Sequence, residues 1–369
     1  MKTKPIQSKL IFGVLCNLVL SFAAFGQSEV FDSIMQQYAE KGDFSGSVLV
    51  AKQGKILYRA AFGSADIKNN IPNKPSTRYH IDAITQGFTA VVAIQAVESG
   101  ELNMITPIAA QFPELKLDNL RGATIHHLLT HSSGIKDFVP APKKGGGGYR
   151  EALIMGIRDA KFEFSPGTGE EYCRVGYALL AHLLELKSKT RYPELLAELV
   201  LKPLEIVNTF SDTGINANKR RAISYKKKLF SSGMASRQRS EINALIGAID
   251  LVSTVDDLYR FSEALRNEAL LAEIAQFGML TSVVGDGGYG PAYGAEIIET
   301  SNGGQAQLFG GDASDSSAVL VRANKGEIVV IVLANVGKSV TKPAYELLEA
   351  ALNPAAGKTP KVIIEDTAN

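Results

Sequence analysis

The sequence SVLVAKQGKILYRA, at residues 47–60, places two apolar runs on either side of a short polar segment. Residues 47–51 and 56–60 are rich in apolar and β-branched side chains, and the four residues between them include a glycine. Short apolar runs joined by a glycine-containing turn are typical of a β-hairpin. The sequence therefore predicts two paired strands near the start of the chain.

A second hairpin is predicted near the other end of the chain. Residues 318–321 and 328–333 are almost wholly apolar, and Asn324-Lys325-Gly326 lies between them. Runs that lack polar alternation indicate strands buried on both faces. Strands at both ends favour one sheet that is built from the two termini.

The segments between the hairpins are mostly helical in pattern. Apolar spacing and capping residues predict helices that start after Asp82 and stop at Gly100, run from Gly176 to Lys187, follow a Thr254 cap, and cover residues 341–352. The fold class expected is mixed α/β (α+β): an antiparallel sheet from both termini, flanked by helices, plus an all-helical domain. We expect residues 27–110 and 241–353 to form the sheet domain, 111–240 the helical domain and 354–369 a flexible tail.

The first 26 residues have the pattern of an export signal. Lys2, Lys4 and Lys9 precede an apolar stretch at residues 10–25, which is short for a membrane span. Small residues before Gln27 fit a cleavage site, although a retained anchor is the alternative. We expect an exported protein, periplasmic or extracellular, with no transmembrane segment after signal removal.

Composition excludes several classes of protein. The 369 residues are 45% apolar and 21% charged, with 39 basic and 38 acidic side chains and a net charge of +1. These values are ordinary for a globular protein and exclude collagen-like, disordered and disulfide-scaffold classes. The chain has no basic excess for tracking phosphates, so we expect no nucleic-acid partner.

Several segments together resemble one enzyme superfamily, the serine β-lactamases and penicillin-binding proteins. The resemblance is closest to the branch of class C β-lactamases, DD-carboxypeptidases and related esterases. It covers about residues 44–336 in the family's order. The segments are FSGSVLVA (44–51), FGSAD (62–66), HLLTHSSGI (127–135), SPGT (165–168), residues 172–180 and LVSTVDDL (251–258). The resemblance implies an active site between a mixed α/β domain and a helical domain.

Acyl transfer in this family implies a specific set of polar groups. A serine at a helix start attacks the substrate, and a lysine three residues later helps to move its proton. Residues three apart share one helical face, so the hydroxyl and the amine can meet. A Tyr-x-Asn or Ser-x-Asn element and a Lys/His-x-Gly strand complete the pocket. The resemblance implies no cofactor.

The catalytic motifs are degenerate in this chain. The nucleophile position holds Ala83 and the lysine position holds Gln86, an amide that accepts no proton at neutral pH. The second element keeps Tyr172 but has Arg174 in place of the amide. The third element is predicted at Phe309, where an aromatic ring replaces the basic residue.

Five residues remain as candidates for binding a ligand: Tyr172, Cys173, Arg174, Gly310 and Gly311. Tyr172 binds a ligand or only fills the cleft floor. Cys173 is either a thiolate favoured by the neighbouring guanidinium or a small, half-buried residue. Arg174 could hold a carboxylate, or pair with an acid such as Asp312 or Asp315 and close the cleft.

Other nucleophiles and metal ligands are weaker alternatives. His127 and His131 have helical i, i+4 spacing, but no acidic ligand accompanies them, so we expect no metal. Serine and lysine also recur at the catalytic spacing elsewhere, but none of these pairs starts the helix after the first hairpin. They are Ser133/Lys136, Ser224/Lys227 and Ser339/Lys342.

Two functions follow from this pattern. In the first, the protein is a catalytically inactive member of the family whose cleft binds a peptidoglycan-like peptide, a small molecule or an envelope protein. In the second, it is a hydrolase of β-lactam, peptide or ester bonds that uses a non-standard nucleophile such as Cys173. Loss of one member of a catalytic unit can cost about a millionfold in turnover, which favours the first function.

Overall fold

The computed structural model describes residues 27–143, 148–213, 221–225, 239–282, 288–313 and 315–353. The predicted signal segment (1–26) and tail (354–369) lie outside these residues. Twelve strands occur in the described part of the chain. They are β1 Gly46–Lys52, β2 Lys55–Phe62, β3 Ser64–Asp66, β4 Ile71–Pro72, β5 Tyr79–His80, β6 Phe210–Ser211, β7 Leu251–Ser253, β8 Gly290–Ala292, β9 Ala295–Glu299, β10 Gln305–Asp312, β11 Ser317–Ala323 and β12 Ile328–Ala334.

Seven of the strands form the main sheet, in the order β2-β1-β12-β11-β10-β9-β8. Every neighbouring pair is antiparallel. The N-terminal hairpin joins the C-terminal hairpin directly, since Gly46 of β1 faces Ala334 of β12. This arrangement confirms the predicted mixed α/β fold, with an antiparallel sheet built from both termini.

Helices cover both faces of this sheet. The described helices are α1 (27–40), α2 Ile84–Glu98, α3 Ile108–Gln111, α4 Ile125–Leu129, α5 Tyr149–Asp159, α6 Arg174–Ser188, α7 Tyr192–Leu196, α8 Arg239–Ala244, α9 Val255–Arg266, α10 Phe277–Leu280 and α11 Thr341–Leu352. Helices α1 and α11 pack on one face, where Val48 and Val332 point. Helices α2 and α9 pack on the other face, where Leu49 and Ile331 point. Side chains that alternate between two cores explain why β1 and β12 are apolar at nearly every position.

Helix α2 is the buried central helix and carries the predicted catalytic positions at its start. Phe88 stacks on Phe261 of α9, with ring centroids 4.0 Å apart, and such pairs add about 1 kcal/mol beyond burial. Asp82 was predicted as the N-cap, and this is wrong. Ala83 occupies that position, and Asp82 precedes it in the left-handed region at φ 46°. The Thr254 cap of α9 is confirmed, because its side chain accepts from the backbone N–H of Asp257.

Between α2 and β7, the described chain is mainly helical. Helices α3 to α8 lie in this part, together with short 3-10 turns at Pro113–Leu115 and Asp118–Leu120. One strand departs from the all-helical expectation: β6 pairs with β7 and so joins a small sheet. The boundaries at 111 and 240 stay predictions. Within the described residues, no helix has the length and apolar character needed to cross a membrane.

Candidate functional site

The start of α2 borders a small pocket of about 200 Å³. Ala83 is the N-cap residue, with no side-chain capping bond, and Gln86 follows one turn later. Four of the positions predicted from the motifs come together here. The lining residues are Ala83, Gln86, His131, Glu170, Tyr172, Pro291, Gly294, Ala295, Glu296, Leu308 and Gly310.

Gln86 and Tyr172 form a direct contact in this pocket. The Gln86 amide Nε2 donates to the Tyr172 hydroxyl over 2.9 Å. Gln86 is 3% exposed, whereas Tyr172 keeps 47% of its surface exposed and turns its hydroxyl inward. Burial of that hydroxyl raises the pKa of Tyr172 to about 12. The phenol therefore stays protonated at neutral pH and can donate a hydrogen bond, but it is a poor base.

Phe309 does not line the pocket, although it lies on the predicted strand. Its side chain is 0% exposed, and its ring packs on α2 at Gly87, where an added Cβ would lie 2.7 Å from the ring. Its neighbours on the strand, Leu308 and Gly310, line the pocket instead. Gly311 is not among the lining residues. The predicted third element is therefore represented in the pocket by Gly310.

Arg174, at the start of α6, is held by two carboxylates. Its Nε lies 2.7 Å from Asp137 and its Nη1 lies 2.5 Å from Glu241. Asp137 also accepts from the backbone N–H of Val175 and so supports the first turn of α6. The predicted partners, Asp312 or Asp315, are wrong. The guanidinium ties α6 to α8 and to the segment between α4 and α5, and the two acids occupy the face that a ligand carboxylate would need.

Removing this guanidinium is expected to destabilise the fold. We expect Arg174→Ala to lower the free energy of unfolding by about 2 kcal/mol, because Asp137 and Glu241 would face each other without a counter-charge. Arg191→Ala is the matched control, since Arg191 pairs with Glu194 while 80% exposed, and it should cost about 0.5 kcal/mol or less. Urea denaturation measures both, and equal losses would contradict the structural role of Arg174.

Cys173 does not line the pocket, contrary to the prediction that it belongs to the cleft. Its side chain is 1% exposed. Burial raises the pKa of its thiol to about 12, and the Asp137 carboxylate adds to this rise. A buried, protonated thiol is a poor nucleophile. The expected stabilisation of a thiolate by Arg174 is outweighed by burial.

His131 is a pocket residue that the motif comparison did not select. Its Nδ1 accepts from the backbone N–H of Cys173 over 3.1 Å, and its ring packs 4.8 Å from the ring of Tyr172. Burial lowers its pKa to about 4. The ring is therefore neutral at pH 7, and the hydrogen bond at Nδ1 places the proton on Nε2.

The two histidines considered as a metal pair do not share a helical face. Helix α4 ends at Leu129, and His131 follows in the left-handed region at φ 56°. His127 turns back to Thr124, where it completes a capping box. In the described part of the chain, no group of three or more His, Cys, Asp or Glu side chains is arranged to hold a metal ion.

Two glutamates at the pocket were also missed from the sequence. Glu170 and Glu296 are far apart in the sequence, and both line the pocket. Burial raises the pKa of each carboxyl, and Glu296 and Glu171 raise that of Glu170 further. Glu170 lies two residues before Tyr172 in the same extended segment, which is the one sequence signal that points to it. The pocket therefore carries two interacting carboxylates.

Comparison with known proteins agrees with this architecture. A family model described as Beta-lactamase matches residues 31–353. The chain is 25% identical over 248 residues to the protein named Putative penicillin-binding protein PbpX of Bacillus subtilis strain 168, a match that covers 67% of this chain and 61% of that protein. Less than two thirds of that relative is therefore spanned.

Solved structures show the same fold. The octameric penicillin-binding protein homologue from Pyrococcus abyssi superposes with a TM-score of 0.73 at 24% identity, over 90% of this chain and 78% of that one. A class C beta-lactamase superposes with a TM-score of 0.75 at 18% identity, over 88% and 96%. The family match extends over most of the chain, from α1 to the end of α11. The chain belongs to the beta-lactamase family.

Proposed function

We propose that this protein is a non-acylating member of the family, whose pocket binds a ligand without forming a covalent bond to it. One observation carries the proposal. The two positions at the start of α2 that would hold a nucleophile and an amine are Ala83 and Gln86, and both line the pocket beside Tyr172. A methyl group cannot attack a carbonyl, and an amide cannot take up the proton.

The remaining polar groups suit recognition rather than bond cleavage. Gln86, the protonated Tyr172 hydroxyl and the neutral His131 ring supply fixed hydrogen-bonding groups in a partly buried pocket. The ligand class that such a pocket fits is a peptide-like or other small molecule with polar groups, in keeping with the penicillin-binding names of its relatives. An envelope protein that inserts a short segment is the alternative partner.

Export is part of the same proposal. The basic and apolar pattern of residues 1–26 supports a signal peptide, so the protein would act in the periplasm or outside the cell. No observation in the described residues favours a hydrolase with another nucleophile, because Cys173 is buried away from the pocket.

Covalent labelling tests the proposal directly. Purified protein is incubated with a fluorescent penicillin and, separately, with a chromogenic ester, and intact mass and absorbance are followed. We expect no mass shift and no ester turnover above buffer. A stoichiometric adduct would overturn the proposal, and so would ester turnover by the wild-type protein that the Tyr172→Phe variant lacks.

A further inference from the structure

The charge of the pocket is negative. Glu170 and Glu296 line it from the segment before Tyr172 and from β9, and no lysine or arginine is present among the described lining residues. Asp82, next to Ala83, is close enough to Tyr172 to contribute to the raised pKa of its hydroxyl. An anionic ligand would therefore meet repulsion as it enters.

The nearest cationic groups are occupied or neutral. The guanidinium of Arg174 already forms ion pairs with Asp137 and Glu241. His131 accepts at Nδ1 and stays neutral at pH 7, because burial lowers its pKa to about 4. A ligand carboxylate would find no counter-charge here, whereas an ammonium group would find two.

Gln86 supplies a buried acceptor that points to a ligand donor. Its side chain is 3% exposed, and its Nε2 is already bonded to Tyr172. Among the described residues, no donor reaches Gln86 Oε1. The oxygen is not fully enclosed by protein, and Gln86 lines the pocket. A nearly buried carbonyl oxygen without a partner gains a hydrogen bond when an N–H donor arrives.

Aromatic surface completes the surroundings. The half-exposed ring of Tyr172 packs against the ring of His131 at the pocket wall. The faces of aromatic rings attract cations, and the attraction grows as water is excluded. The wall is thus compatible with an ammonium group carried on an apolar or aromatic body.

We propose that the pocket binds the ammonium group of an amine-bearing ligand, between the carboxylates of Glu170 and Glu296 and against Gln86 Oε1, and that it binds such a ligand more tightly than a carboxylate-terminated one of similar size. This inference rests on the proposed non-covalent binding function, and it names the class of ligand. An ammonium group has three donors, which match two carboxylates and one amide oxygen.

Three probes of similar size test the charge preference: benzylamine, benzyl alcohol and benzoate. Each is titrated into ¹⁵N-labelled protein at pH 7, and backbone shifts near the pocket are followed. We expect saturable shifts with benzylamine and at least about tenfold weaker binding of the other two. Equal or tighter binding of benzoate, or no saturable shift with benzylamine, would overturn the inference.

Two substitutions at the pocket test where the amine binds. Glu170→Gln and Glu296→Gln should each weaken benzylamine about tenfold while leaving benzyl alcohol unchanged. Glu299→Gln is the matched control, because Glu299 is an exposed residue of the same strand, three positions on, and points to the other face. Unchanged benzylamine affinity in both pocket variants, with their spectra intact, would overturn the inference.

The two proposals fail in different ways. A penicillin adduct on the wild-type protein would overturn non-acylation whatever the amine titration shows. If the protein formed no adduct and showed no preference for benzylamine, only the proposed class of ligand would be overturned.

Discussion

Ala83→Ser combined with Gln86→Lys is expected to produce a covalent penicillin adduct that the wild-type protein does not form. Both positions line the pocket at the start of α2, one helical turn apart. A hydroxyl and an amine at this spacing lie on one helical face, and the amine would approach the Tyr172 hydroxyl that Gln86 now contacts. The scaffold that positions the reacting groups is therefore in place.

The size of the gain follows from proton transfer. A positioned acid or base contributes about 10²–10⁴-fold, so the double variant should label at least about 100 times faster than Ala83→Ser alone. Intact mass gives the rate, and peptide mapping should place the adduct at position 83. Gln86→Lys alone is the second control and should not label. An adduct elsewhere, or none in the double variant, would show that the motif positions are wrong.

Restoring the basic residue of the third element is expected to damage the fold. We expect Phe309→Lys to lower the free energy of unfolding by about 4 kcal/mol, because the ring fills a fully buried site against Gly87 and the new ammonium would lose its water there. Urea denaturation measures this loss.

Phe309→Leu is the matched control for this substitution. It keeps an apolar side chain at the same position and should cost about 1 kcal/mol. A lysine variant as stable as the leucine variant would mean that the side chain at 309 reaches the pocket after all. The expected difference would explain why the third element cannot be rebuilt by a single substitution.

The strands and several helices were predictable because their signals are local. The runs around residues 48–50 and 329–333 are apolar on both faces of the sheet, and such runs need no distant information. Thr254 and Asp257 lie only three residues apart, so the cap that they form can be predicted from the local sequence. By contrast, helix α1 was not predicted, although Phe31, Ile34 and Met35 recur at helical spacing directly after the signal segment.

The pocket residues on α2 could be predicted from the sequence, but the charge of the pocket could not. Ala83 and Gln86 follow from motif spacing within one helical turn. Arg174 takes partners 37 and 67 residues away, and choosing among many surface acids at such distances needs the tertiary structure. The direction of Phe309 depends on strand register, and a shift of one residue exchanges the two faces.

The pairing of β1 with β12 has a consequence for how the chain is made. Gly46 finds its partner only after Ala334 has been synthesised, and at about 5–20 residues per second this delay is roughly 15 s to 1 min. During that interval the first hairpin keeps an unpaired edge, and the central sheet cannot close. Late closure keeps the central sheet unfolded in the nascent polypeptide. An unfolded chain can be threaded through a translocation channel, as the proposed export requires.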